Sequence, residues 1–274
     1  MNPSNVSPAG CVLVMLTLFG VGAAMGATPF DSATVTRLQN KATIAEVAAG
    51  KVAAAQPAAV TDVIHANKFL QTAGDARAEM EFKDKSLTRL GPNAIFSFDA
   101  QSRTLSLEKG DMLFYLPPGA GGVKIKTAAL TAALTGTVVL MSETGILALD
   151  GKVTITYVED GEKKTVKIEA GTDHNAAKMV NHKLIVYKSG SDDEMWITTR
   201  RNLLSWAPLP DDAEIKIALS SPWASDETIF DADRGGGFVS AGMNLGGSGT
   251  VTKALPSGQV GIFDLIGNLL GLRQ

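Results

Sequence analysis

The sequence is poor in the residues that most chemistry needs. Of 274 residues only Cys11 is a cysteine, and only His65, His174 and His182 are histidines. A single cysteine excludes an internal disulfide, so the fold must rest on its core. His174 and His182 stand with seven residues between them and His65 is remote. Metal-binding histidines usually sit two or four apart with a third ligand near, so these read as structural or surface histidines. An excess of positive charge is also missing: 25 Lys and Arg against 28 Asp and Glu leave a net charge of −3. That gives no basic face for nucleic acid or for an anionic membrane surface. No serine sits in a Gly-x-Ser-x-Gly elbow, and Gly246 to Lys253 lacks the spacing of a phosphate loop.

The remaining candidates each have a plainer reading. Asp192-Asp193-Glu194 and Asp211-Asp212 are acidic enough for a hydrolase pair, but acidic runs are usually solvated faces. Asp231 and Asp233 resemble the start of a calcium loop, yet the next ligand position is Gly235 and the twelfth is Gly242. Trp196, Trp206 and Trp223 could stack on sugar rings, although packing is the commoner use of tryptophan. The sequence therefore assigns no catalytic residue, no cofactor and no metal ligand, and the expectation is a protein that is not an enzyme.

Long apolar runs are equally scarce. Cys11 to Val21 is apolar, the small residues Gly22 to Ala27 follow, and the first charged side chain is Asp31. This is the shape of a secretory signal peptide, and the run is shorter than the about 20 residues of a membrane-spanning helix. Cys11 opens the run rather than following it, the wrong place for a lipid-modified cysteine. The later stretch Ile262 to Leu272 is interrupted by Asp264, Gly267, Asn268 and Gly271. A periplasmic or secreted protein with no transmembrane helix in its mature chain is expected, cleaved near Gly26-Ala27.

Between Asp62 and Val180 the pattern has period two. Met80 and Phe82 alternate with Glu79, Glu81 and Lys83; Val123 and Ile125 with Lys124 and Lys126; Val153, Ile155 and Tyr157 with Thr154 and Thr156. Alternation puts one side of each strand in a core and the other in water. Ile95 to Phe98 and Met112 to Leu116 read as further strands. Turn signals punctuate the runs, and Asp160-Gly161 is the strongest hairpin signal. Ala42 to Val60 is alanine-rich and helical by propensity, against which stand Gly50 and Pro57. Asp192 to Trp206 predicts a short amphipathic helix, ended by Ala207-Pro208. Arg234 to Gly258 is rich in Gly and Ser and reads as a linker.

The stretch from Phe69 to Gly171 resembles the FecR domain. The residues that carry the resemblance are Leu70 to Gly74, Ala76 to Phe82, Ser86 to Asn93, Leu105 to Asp111, Val123 to Thr127, Leu134-Thr135-Gly136-Thr137, Asp150 to Val153 and Ile168 to Gly171. Ile44 to Val52 is similar to the family's opening strand. Two positions depart: Thr135 stands where an Arg is frequent before the Gly, and Asp84-Lys85 replaces the usual Asp-Gly. The resemblance implies an all-β fold, a FecR-like β-solenoid or sandwich with a mostly irregular C-terminal extension containing short helices, and an envelope location. The expected layout is a signal peptide (1–26), a lead segment (27–43), the β domain (44–182), an extension (183–233) and a Gly/Ser-rich tail with an apolar end (234–274).

This points to an exported, non-enzymatic module whose partner is an envelope protein or a glycan. A periplasmic ligand sensor or regulator of cell-surface signalling is the alternative, and an envelope hydrolase a more distant one. The export reading has a direct check. Mass spectrometry of the native protein is expected to place the mature N-terminus between Ala24 and Thr28, and an intact Met1 would refute export by cleavage.

Overall fold

The computed structural model describes residues 30–221 apart from 49–50, 53 and 67. The expected signal peptide, the Asp231 to Asp233 loop, Trp223, the Gly/Ser-rich stretch and the apolar end lie outside the described residues. Short runs between turns lay the chain down as strands. The first are β1 (Ser32–Gln39), β2 (Ala42–Ala48), β3 (Lys51–Val52), β4 (Gln56–Pro57), β5 (Val63–His65) and β6 (Lys68–Thr72). Next come β7 (Arg77–Phe82), β8 (Leu87–Leu90), β9 (Ile95–Asp99), β10 (Thr104–Lys109), β11 (Met112–Tyr115), β12 (Val123–Lys126) and β13 (Leu130–Leu134). The last are β14 (Val138–Met141), β15 (Gly145–Asp150), β16 (Lys152–Glu159), β17 (Glu162–Glu169), β18 (Ala176–Val180) and β19 (Lys183–Tyr187), followed by helices α1 (Glu194–Leu203) and α2 (Asp211–Ser220).

The strands form two facing open sheets, a sandwich-like arrangement. The first sheet runs β19-β18-β15-β14-β11-β8-β7-β1-β5 and the second β17-β16-β13-β12-β10-β9-β6-β2-β3, with β4 on β2. The chain deals its hairpins alternately: β7–β8 to the first sheet, β9–β10 to the second, β14–β15 to the first, β16–β17 to the second. Hydrophobic side chains from both sheets meet between them, among them Val35, Met80, Phe82, Phe114 and Ile146 from the first and Leu70, Phe96, Ile125, Val153 and Ile155 from the second. Phe30 stacks on Phe82, ring centroids 3.9 Å apart, and closes one end of this core.

The two sheets differ in their outer faces. In the second sheet β12 alternates buried and exposed positions and β10 buried and half-buried ones, so one side meets water. In the first sheet every residue of β8, β11 and β14 is buried. A strand buried throughout has both faces covered. The cover is helical: Leu113, Tyr115, Leu140 and Leu147 pack against Trp196, Leu203, Leu209 and Ile217 in a second core.

Several expectations need correction. The helical propensity of the alanine-rich stretch is overridden and the opening strand expected at Ile44 to Val52 is present: β2 pairs with β6 from Ala42/Thr72 to Glu46/Lys68. A helix this short is marginal alone, and the sheet buries Ala42 and Ala45 while satisfying the backbone. The lead segment 27–43 holds β1, which pairs with β5 and β7 inside the first sheet. The boundary after 182 falls in the β18–β19 hairpin, whose turn is Asn181 and His182. Among its described residues the extension 183–233 supplies one strand and two helices, and the helices share a core with the first sheet.

Two turns explain sequence details. Lys85, which stands where the family has glycine, adopts φ +68, a conformation that costs a side-chain-bearing residue about 1 kcal/mol. Gly136 has φ +59, and a Cβ there would meet only Pro118 Cα, at 3.7 Å. The bend, rather than a close strand contact, is what calls for glycine at 136.

The register makes a quantitative claim. Ile155 is fully buried and Lys126 exposed. Ile155→Ala is expected to cost about 2–4 kcal/mol through the cavity it leaves, and Lys126→Ala under about 0.5 kcal/mol, both by denaturant unfolding. Equal costs would reject the register.

Candidate interaction surface

The helical cover is held to the first sheet by a seam of polar side chains. Its centre is Arg89 on β8, whose side chain has no exposure. Arg89 Nε donates to Glu79 Oε2 at 2.8 Å, Nη1 to the Leu203 carbonyl at 2.7 Å and Nη2 to the Pro208 carbonyl at 2.6 Å. Glu79 lies directly across the β7–β8 pair. The register of β1 shifts between Val35 and Arg37, and this irregularity brings both Thr36 and Arg37 to the same carboxylate, at 2.8 and 3.1 Å. The planar guanidinium can serve a carboxylate and two carbonyls at once, which an ammonium cannot. Its carbonyl partner at Leu203 sits at the C-terminus of α1, the negative end of the helix dipole.

Further contacts run along the seam. Thr199 Oγ1 of α1 donates to Asp111 Oδ2 at 2.7 Å. Burial raises the Asp111 carboxyl above its ordinary value, the Thr199 hydrogen bond opposes this, and the charge of Glu143 adds to the rise. Tyr115 donates its hydroxyl proton to Asp212 of α2. Burial, then Asp212, raises the Tyr115 hydroxyl further. Ser220 Oγ, at the end of α2, donates to Asp150 Oδ1 at 2.7 Å. Gly171 has φ +74, and a Cβ there would lie 2.7 Å from the Ser220 carbonyl, so this turn leaves room for the helix end.

Local sequence explains the helices. Asp193 caps α1 by accepting from the Met195 amide at 3.1 Å, Glu194 lies in the first turn and Arg200 and Arg201 in the last. Trp196, Thr199, Arg200 and Leu203 form its buried stripe. The first turn of α2 carries Asp211, Asp212 and Glu214. Both acidic runs that were candidates for a hydrolase pair thus lie at helix N-termini. Trp196 is fully buried, and its Nε1 donates to Tyr187 Oη at 3.1 Å. Burial pushes the Tyr187 hydroxyl up to about 12, against the lowering effect of the Trp196 donor.

The structure does not bring the other candidates together. His65, His174 and His182 are exposed and lie on different elements or turns. Among the described residues no three of His, Cys, Asp and Glu are grouped to hold a metal. No helix among them is long and apolar enough to cross a membrane. What the cover offers outward is apolar: α2 buries Ala213 and Ile217 but leaves Ile215 52% and Leu219 61% exposed, one turn apart. Sequence reasoning missed α2 and this face. The unbroken apolar runs of β11 and β14, which demand a cover on both sides, were the available signal.

Removing the seam's centre tests its role. Arg89→Ala leaves Glu79, the helix-end carbonyl of Leu203 and the loop carbonyl of Pro208 facing a cavity, so a loss of about 3–5 kcal/mol in urea unfolding is expected. Arg89→Lys is expected to recover only part of it. A loss below about 1 kcal/mol, the worth of an exposed pair, would show that the seam does not hold the cover.

No curated protein matches the sequence. Among solved structures, two crystal structures of a candidate anti-sigma factor from Parabacteroides distasonis are similar. One is 10% identical with TM-score 0.39, the alignment covering 47% of this chain and 62% of the other; the second is 9% identical with the same TM-score, covering 47% and 63%. The chain thus spans less than two thirds of the length of those structures. Against family models, the match is to the one described as FecR protein. The matched segment opens at β6 and closes at the start of β17, enclosing Glu79, Arg89 and Asp111 of the seam. Residues 68–162 of this chain match the FecR family, in agreement with the resemblance seen in the sequence.

Proposed function

We propose that this chain is an exported, non-enzymatic regulator-type protein that works by binding another protein of the cell envelope. The match of residues 68–162 to the FecR family supports the regulator class. The structural feature that carries the binding reading is the outer face of α2, where Ile215 and Leu219 stand in water on a helix fixed to the sheet. Apolar side chains on a rigid element are suited to a protein partner. A glycan partner is less well served, because Trp196 is consumed by the core and Trp206 is half-buried. A role in cell-surface signalling is the second reading, favoured by the family match alone.

The test is capture of envelope proteins by the mature chain and by an Ile215→Asp/Leu219→Asp variant. The variant is expected to melt like the wild type, since both positions are exposed. It is also expected to lose a saturable partner that the wild type retains. Equal capture by both would move the interaction off α2, and no saturable capture by either would overturn the binding reading.

A further inference from the structure

Each open sheet has ends, and a free edge strand is a template for another strand unless it is short or charged. In the second sheet the terminal β17 is guarded: Glu162, Lys163, Lys164, Lys167 and Glu169 are all charged. The terminal strands β3 and β5 have two and three residues. The other end of the first sheet is different. There β19 reads Lys-Leu-Ile-Val-Tyr, with Lys183 as its one charge and Ile185 44% exposed.

The hairpin before it fixes which backbone groups face outward. Asn181 and His182 have φ +49 and +63, and Val180 pairs with Lys183, so this is a two-residue turn of the type with two positive φ angles. The turn's hydrogen bond makes Val180/Lys183 a hydrogen-bonded pair. Alternation makes Lys178/Ile185 and Ala176/Tyr187 the same. The amide and carbonyl groups of Leu184 and Val186 therefore point away from β18, to the open edge.

We infer that β19 pairs with β19 of a second copy of this chain, antiparallel about a two-fold axis at Ile185. The parity of the outward groups fits this register. Leu184 meets the other copy's Val186 as a hydrogen-bonded pair, and Val186 meets its Leu184. Ile185 meets Ile185 in the intervening close pair, where Cα atoms stand about 4.5 Å apart. Lys183 lies opposite Tyr187, whose ring already carries the Lys178 ammonium 5.0 Å from its centroid, and no like charges stand directly opposite one another. This centre matches every residue of the strand, and the exposed Val180 and Ile185 lie beside the joint. The two nine-stranded sheets become one continuous sheet.

The test uses the full chain with Cys11→Ser, which leaves no native thiol. Sedimentation velocity over rising concentration is expected to show a monomer–dimer equilibrium. Ile185→Lys, which opposes two charges at the close pair, is expected to raise its midpoint at least tenfold without changing the melting temperature of the monomer. Under mild oxidation Ile185→Cys is expected to form a disulfide dimer, since about 4.5 Å lies within the range for a bridge. Lys183→Cys is expected not to, because its copies lie about 14 Å apart in this register. A monomer at every concentration, or equal crosslinking at 183 and 185, overturns the inference. So does a monomer whose Leu184 and Val186 amides resist exchange, which would mean that another segment or protein covers the edge.

Discussion

Arg89 and Glu79 face each other across β7 and β8 with almost no contact with water, and a charge in that position imposes conditions on everything around it. Removing two ions from water costs several kcal/mol each, and the pair is tolerable only if their remaining hydrogen-bonding capacity is filled. Thr36 and Arg37 complete the carboxylate, and the carbonyls of Leu203 and Pro208 complete the guanidinium. These partners come from β1, from the end of α1 and from the loop after it. The ion pair thus ties together the strand at residues 32–39, the β7–β8 hairpin inside the segment that matches the FecR family, and a helix more than a hundred residues later. Its bonds to the Leu203 and Pro208 carbonyls fix where the end of α1 and the following loop sit on the sheet.

The same junction explains why the first sheet has apolar residues on both faces. Leu113 and Leu140 point out from the sandwich, and in water they would form an exposed apolar strip. Trp196, Leu203 and Ile217 remove it. The second sheet needs no such cover because Lys124, Lys126 and their neighbours already face solvent. One domain therefore carries two kinds of strand, and the difference is decided by whether something packs on the outside. The helices are part of the folded unit even though they lie after the segment that the family match spans.

Turn chemistry shows how the chain departs from the FecR pattern that it resembles without losing the fold. Lys85 takes the left-handed conformation usually given to glycine, while its neighbour Asp84 is held by Arg103 at 2.7 Å and accepts from the Ser86 amide at 3.0 Å. Thr135, where an arginine is frequent, is exposed on the turn. Gly171 cannot be exchanged in the same way, because the end of α2 occupies the space beside it.

Read alone, the sequence determined the β class, the second sheet's inward and outward faces, the Asp160-Gly161 hairpin and the FecR resemblance. Alternation and turn residues are local, and they act within a few residues of where they are read. It also determined α1, whose Asp193 cap and apolar stripe are local signals. It did not disclose β1, whose short Ala33 and Val35 alternation is weak. For β2 it offered two readings, alanine's helical preference and an opening strand at Ile44 to Val52, and pairing with β6 decides for the strand. The role of Arg89 was invisible because its partners lie 10 residues away at Glu79 and 114 residues away at Leu203. The apolar face of α2 and the place of β19 at the end of its sheet, among the described residues, are likewise properties of neighbours. Which side of a helix is buried, and which strand ends a sheet, is settled only when distant segments compete for the same surface, and that competition takes place in the tertiary structure.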